Sequence, residues 1–124
     1  MREIKFRGRG NHGWYFGLLT TYKPDCGLAL IDNAIEVDPE TLGQYIGLPD
    51  CNGQEIYEGD IVKFPDIDAD DFPAVVTWEE ESASFVLYSL YKKASRNSFD
   101  IIRSTELVVI GNIFDKAESD AHDC

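Results

Sequence analysis

The segment from Thr41 to Phe64, TLGQYIGLPDCNGQEIYEGDIVKF, constrains the fold more than any other part of the chain. Two turn signals, Asn52-Gly53 and Glu58-Gly59-Asp60, separate short runs of mixed apolar and polar residues. Asn-Gly accepts the positive φ angles that a type I′ hairpin turn demands, so this spacing describes tightly wound β structure. Gly43, Gly47, Gly53 and Gly59 read as backbone bends, and Asp60 as a carboxylate cap on its turn. Tyr45, Ile46, Ile56, Tyr57 and Ile61 are the core candidates. The segment contains no nucleophile–base pair and no metal-ligand spacing, so it specifies an architecture and not an activity.

The same punctuation continues along the chain. Glu3–Phe6 and Trp14–Thr20 read as two strands of a hairpin around the turn Gly8–Gly13. Within Trp14–Leu18, alternation puts Trp14, Phe16 and Leu18 on one face, and the expectation is that Trp14 and Phe16 point inward. A turn at Lys23–Gly27 leads to a strand over Leu28–Asp32. Asp38-Pro39-Glu40 starts one helical turn, with Asp38 as cap and Pro39 in the first helical position. Ile56–Phe64 is a strand interrupted at Gly59. Ala74–Glu79 and Ser84–Leu90 form a second hairpin, Tyr91–Ser98 reads as a loop or short helix, and strands follow at Phe99–Arg103 and Glu106–Ile110. Gly111-Asn112 turns the chain before an acidic tail from Asp115 to Cys124, read as frayed. Short strands at regular intervals indicate a sandwich or a small barrel.

Charge narrows the function classes. The chain of 124 residues carries 23 acids and 11 bases, a net charge of −12, which repels nucleic acid and anionic membrane at long range. Residues 1–12 oppose this trend: Arg2, Lys5, Arg7 and Arg9 stand against Glu3 alone, a net of +3, leaving −15 on the rest. A basic end of this kind is either a solvated strand that discourages edge pairing, or a contact for an acidic neighbour or a phosphate backbone. With Lys92, Lys93 and Arg96 it makes the candidate interaction surface. A head-to-tail homo-oligomer supplies the acidic neighbour without a foreign partner. Three cysteines (Cys26, Cys51 and Cys124) with no CxxC pair argue against a disulfide framework and for a reducing compartment. The start MREIKFRGRG lacks the apolar stretch of a secretory signal, and no apolar run approaches a membrane helix.

The chemical motifs fail on context. Gly8-x-Gly10-x-x-Gly13 matches a dinucleotide-binding pattern, but the β-prone WYFGLLT follows where that pattern needs a helix N-terminus. Asp66, Asp68, Asp70 and Asp71 resemble the start of a calcium loop. Asp71 and Thr77, however, stand where an EF-hand needs Gly and a bidentate Glu. Weak cation binding is all that such a loop offers. His12 sits in a turn, and His122 in the tail, where a rigid base cannot be held. Asp50 beside Cys51 disfavours its thiolate. The tail set Asp120, His122, Asp123 and Cys124 has the composition of a metal site without the preorganisation. No cofactor, metal or catalytic residue is therefore assigned.

Three blocks, MREIKFRGRG…GWYFGLL, VDPETLGQYIGLPDCNGQEIYEGDIVKF and ELVVIGNIFD, resemble the YopX-like proteins of phages and prophages. Ile46, where that family favours Thr, and the acidic insertion at Asp66–Asp71 depart from the pattern. The resemblance implies a β-rich protein made in the bacterial cytoplasm and carries no catalytic residues over. Glu58–Val62, EGDIV, is similar to the opening strand of SH3-like small barrels. The expected fold is mainly β with little helix: an N-terminal β-hairpin extension over 1–55, an SH3-like barrel over 56–114 and a flexible acidic tail over 115–124. The expected function is a non-enzymatic module that self-associates or binds a phage or host protein. The alternative is nucleic-acid binding through the basic N-terminal strand. Further off stand a metal-dependent hydrolase built on the acidic loop, and mimicry of DNA by surface acids.

Overall fold

The computed structural model describes residues 3–65, 72–90, 94–96 and 106–115. The protein is mainly β, with antiparallel sheets and helix limited to single 3-10 turns among the described residues. The chain divides into two compact units, Met1–Gly47 and Leu48–Cys124.

In the first unit, β1 (Phe6–Gly10) and β2 (Gly13–Gly17) form a hairpin whose register pairs Gly10 with Gly13. Only Asn11 and His12 lie between them, so the first strand runs further and the turn is tighter than the glycine spacing suggests. Gly13 takes a φ of 123°, which a side chain would resist. A second sheet of β3 (Leu19–Lys23), β4 (Leu28–Ile31) and β5 (Ile35–Val37) follows. Between β3 and β4, the expected turn is a 3-10 helix over Pro24–Cys26, closed by Gly27 at φ 69°. Between β4 and β5, Asp32 and Asn33 both adopt positive φ (56° and 65°), and the Ala34 N–H donates to the Ile31 carbonyl. This is the mirror-image turn that suits the twist of paired strands, made here by Asp-Asn rather than a glycine.

Ala29, Ile31 and Val37 form the core of this unit, with Tyr15, Leu19, Ile35 and Leu42 packed on it. Tyr15 therefore faces the core, and the expectation that Trp14 and Phe16 point inward is corrected. Alternation sends them to the opposite face, and Phe16 is 51% exposed. Leu19 at the inner face and Leu18 at 55% exposure continue the same phase. The Pro39–Thr41 3-10 helix forms as expected: the Asp38 carboxylate accepts the Glu40 N–H at 3.0 Å. Thr41 fixes this turn to β1, accepting the Arg9 N–H at 2.8 Å and donating to the Asp38 carbonyl at 2.7 Å.

Strand β6 (Gly43–Pro49) begins beside β1 and continues into the second unit, where β7 (Glu55–Tyr57) is its neighbour. The Asn52-Gly53 turn is not type I′. Gly53 alone has positive φ, and the loop is held instead by the Asp50 carboxylate, which accepts the N–H groups of Asn52 and Gln54. The break at Gly59 separates β7 from β8 (Asp60–Lys63). Asp60 is buried there and accepts the Tyr57 N–H at 2.8 Å, the capping role read from the sequence.

The second unit's sheet has the order β11-β10-β9-β8-β12, with β9 at Ala74–Glu79, β10 at Ser84–Ser89, β11 at Ala94–Arg96 and β12 at Val108–Asn112. The β9–β10 hairpin closes where expected, through Glu80–Ala83. Trp78 and Phe85 pair across it edge to face, their centroids 5.2 Å apart. Ala94–Arg96 is strand rather than loop or helix, and the strand expected at Phe99–Arg103 lies outside the described residues. Gly111-Asn112 does not turn the chain but extends β12 past a bulge after Val109, and the Asn112 side chain caps the turn beyond it. Ile56, Tyr57, Val62, Val76, Leu87 and Leu107 are the most deeply buried large side chains of this core, together with Asp60 and Ser89. Of the candidates in Thr41–Phe64, Ile46, Ile56, Tyr57 and Ile61 are buried and Tyr45 is half-buried.

Candidate interaction surface

Arg7, Arg9, Trp14 and Phe16 occupy one face of the β1–β2 hairpin, because the register sets Arg7 opposite Phe16 and Arg9 opposite Trp14. Lys5 extends the row, its carbonyl accepting the Tyr45 N–H and its ammonium 3.4 Å from the Glu3 carboxylate. The Arg7 and Arg9 guanidiniums lie 4.8 and 5.5 Å from the centre of the Trp14 ring, at cation–π distance. Arg7 is only 7% exposed, so it contributes to the structure of the hairpin more than to its surface. Arg9 is half-buried, and Phe16 and Leu18 stand out into solvent. The sequence-predicted set is thus brought together in part: Lys5, Arg7 and Arg9 share one row. Arg96 belongs to β11, and Arg2, Lys92 and Lys93 lie outside the described residues.

The apolar members of this surface are not evident from the sequence because alternation fixes which residues share a face but not which face is buried. Gly8 carries that information. A Cβ built on it would lie 2.6 Å from Val37 Cγ2 and 3.2 Å from Leu42 Cδ2, so the face carrying Gly8, Gly10 and Tyr15 is pressed on the core. The Gly8-x-Gly10-x-x-Gly13 pattern is therefore a record of close β packing and a turn.

Beside this face runs an open groove of about 590 Å³, lined by Arg9, Gly10, Asn11, Glu36 and Asp38 among others. A smaller hollow of about 260 Å³ adjoins it through Gly27, Asp38 and Pro39, and reaches Tyr22 and Glu40. Glu36, Asp38 and Glu40 are all exposed, so the groove presents carboxylates with an exposed aromatic at one end. This arrangement suits a cationic group better than an anionic one. Its one trace in the sequence is the E-x-D-x-E alternation over 36–40, which the helix-cap role of Asp38 masks.

In the second unit, Asp50 is the most constrained ionisable group of the loop Pro49–Gly53. It is 3% exposed; one carboxylate oxygen accepts from Asn52 and Gln54 and the other from Val109 at 3.0 Å. Burial pushes its carboxyl pKa up, but the N–H groups of Val109, Gln54 and Asn52 outweigh that and hold it below its ordinary value. The loop is further fastened by the Cys51 N–H, which donates to the Leu107 carbonyl at 2.8 Å. Asp50 is a structural tie, and the Cys51 thiol beside it is exposed.

The remaining chemical candidates are not gathered into a site among the described residues. His12 is exposed in the two-residue turn and Cys26 is exposed at the end of its 3-10 helix. Asp66, Asp68, Asp70 and Asp71, and the tail residues Asp120, His122, Asp123 and Cys124, lie outside the described residues. Among the described residues, no group of three or more His, Cys, Asp or Glu side chains is placed to hold a metal, and no helix is long and apolar enough to cross a membrane.

Fold and surface together define an antiparallel β protein whose marked features are a partly exposed strand face bearing Phe16 and an open groove. The chain belongs to the YopX protein family, whose model matches residues 16–119. It is also similar to the crystal structure of protein EF1440 from Enterococcus faecalis, with a TM-score of 0.58 and 20% identity over 96% of this chain and 99% of that one. That likeness shows a shared fold. No curated protein matches the chain.

Proposed function

We propose that this protein is a non-enzymatic, phage- or prophage-borne module of the bacterial cytoplasm that binds another protein through the outer face of β2. The SH3-like barrel read over 56–114 is its scaffold. The observation that carries this reading is the exposure of Phe16 and Leu18 on and just after a strand at the end of the sheet order β2-β1-β6-β7, beside the stacked Arg9 and Trp14. Aromatic and arginine side chains grouped around an apolar centre are the composition of interface hot spots. The test is capture of the tagged protein from its host during phage development, wild type against Phe16→Asp. A partner retained by the wild type and lost by the variant, with unchanged circular dichroism, is expected. Equal retention by a folded variant counts against the surface.

Nucleic-acid binding through Lys5, Arg7 and Arg9, with Arg2, Lys92, Lys93 and Arg96, is a second reading, favoured by the interleaving of cations and aromatics on β1–β2. Two facts weigh against it. The Trp14 ring already carries two guanidiniums and is a poor platform for a base, and the net charge of −12 opposes approach to a polyanion. Gel shift of single- and double-stranded probes at low salt decides it: no shift is expected, and a shift that fades steeply with salt would favour this reading.

A further inference from the structure

We infer that Asn52-Gly53 is a site of spontaneous deamidation that the fold holds shut through Asp50. The site lies in the loop after β6 and stands apart from any use of the β2 face. Asn52 is the one asparagine of the chain that precedes a glycine. Glycine has no Cβ to shield its nitrogen, so this nitrogen reaches the preceding side-chain amide more readily than that of any other residue. Cys51, Asn52, Gly53 and Gln54 are all exposed, and a Cβ built on Gly53 would meet nothing within 4 Å. Water and hydroxide therefore have open access to both reacting groups. Hydroxide takes the proton from the Gly53 nitrogen, which attacks Asn52 Cγ. The N–Cγ bond forms as the Cγ–Nδ2 bond breaks. The leaving amide takes a proton from water and departs as ammonia, returning the hydroxide and leaving a cyclic imide. Water then opens the imide, giving aspartate where it attacks Cγ and isoaspartate where it attacks the backbone carbonyl carbon.

Ring closure requires rotation about the Asn52 Cα–C bond, which carries the Gly53 and Gln54 N–H groups with it. Asp50 opposes that rotation. Its carbonyl accepts the Gly53 N–H at 3.1 Å, and one carboxylate oxygen accepts the N–H groups of Asn52 and Gln54 at 2.8 and 2.9 Å. The Asp50 N–H donates to the Gln54 carbonyl at 2.8 Å and closes the loop from the other side. The second carboxylate oxygen accepts the Val109 N–H at 3.0 Å and fastens the whole to β12. Reaction waits on a local opening that breaks these bonds, and is slowed by their combined worth. Once made, the change does not reverse. Isoaspartate adds a methylene group to the main chain inside the closed loop. Either product also sets a new carboxylate in a loop organised around the Asp50 carboxylate.

The full chain is incubated at mildly alkaline pH, and mass spectrometry follows the mass gain at position 52, located by fragment ions. Native wild type is expected to react at least about tenfold more slowly than the same chain in guanidinium chloride, since opening forfeits one net hydrogen bond or more. No mass gain at position 52 in the denaturant overturns the site, and equal rates with and without denaturant overturn the lock. Asp50→Ala, verified as folded by circular dichroism, is expected to recover most of the denatured rate. Asp50→Asn keeps an oxygen for Asn52 and Gln54 and is expected to recover less. A folded Asp50→Ala chain that reacts at the wild-type rate removes Asp50 from the lock. If that variant does not fold, hydrogen exchange of the wild type decides. Protected Gly53 and Gln54 amides are expected, and exchange as fast as in an unstructured peptide overturns the proposal.

Discussion

Asp50 shows how much one side chain holds in a protein of short strands. Its two oxygens satisfy three backbone N–H groups, from Asn52, Gln54 and Val109, the last distant in sequence. Asp50→Ala strands all three donors and is expected to cost about 3 kcal/mol, read as a lower urea midpoint. Asp50→Asn keeps one carbonyl oxygen, enough for the Asn52 and Gln54 pair but not for Val109, so about half that loss is expected. The pH dependence follows from the lowered pKa. Above the unfolded value of about 3.9 the ionised carboxylate's contribution is fully present, and it is lost as pH falls through the lower folded value. Wild type is therefore expected to lose stability more steeply than Asp50→Asn below about pH 4. Parallel profiles for the two would show that Asp50 titrates alike in the folded and unfolded chain.

At the scale of elements, the hairpin β1–β2 separates what the sequence discloses from what it conceals. The β9–β10 hairpin, the Asp38–Pro39 cap and the Asp60 cap are legible, because each depends on local chemistry that a short segment carries by itself. The inward face of β2 is not. Trp14 and Phe16 are larger than Gly8 and Gly10, and size favours burial, yet the core of this unit is small and takes Tyr15 against Ala29, Ile31 and Val37. Room for that packing comes from the glycines on β1. The groove is hidden for a different reason: Arg9 and Glu36 line one hollow, and Tyr22 the hollow adjoining it, only once three separate turns are in place. Gly8→Val is expected to destabilise by about 2 kcal/mol, since its branched side chain enters a space already closed by Val37 and Leu42. Phe16→Ser, at an exposed position of the neighbouring strand, is expected to shift stability by no more than about 0.5 kcal/mol. Thermal melts of the two variants compare the faces directly. A larger loss for Phe16→Ser would mean that β2 buries the other side.

At the scale of the whole molecule, the division at Gly47–Leu48 falls inside β6, so the two units share a strand in the covalent sense although each gathers its own core. The first unit is short, and only Ala29, Ile31 and Val37 form the fully buried part of its cluster. Domains near 60 residues are already marginal, and below about 40 residues a chain usually needs disulfides, metals or association to fold. Cys26 is a free thiol, and cutting after Gly47 removes the end of β6. Residues 1–47 made alone are therefore expected to be largely unfolded, with amide proton shifts collapsed into a narrow range and no cooperative melt. Residues 48–124 retain the five-stranded sheet and its larger core, from Ile56 to Leu107. They are expected to keep a β-type circular dichroism spectrum and a cooperative transition, at a lower temperature than the full chain. A well-dispersed spectrum from the short fragment would show that its turns, fixed by Asp32-Asn33 and Asp38, suffice to hold three-stranded structure around a minimal core. The first unit would then hold its own fold, and the basic N-terminal strand would be able to act as an independent docking element.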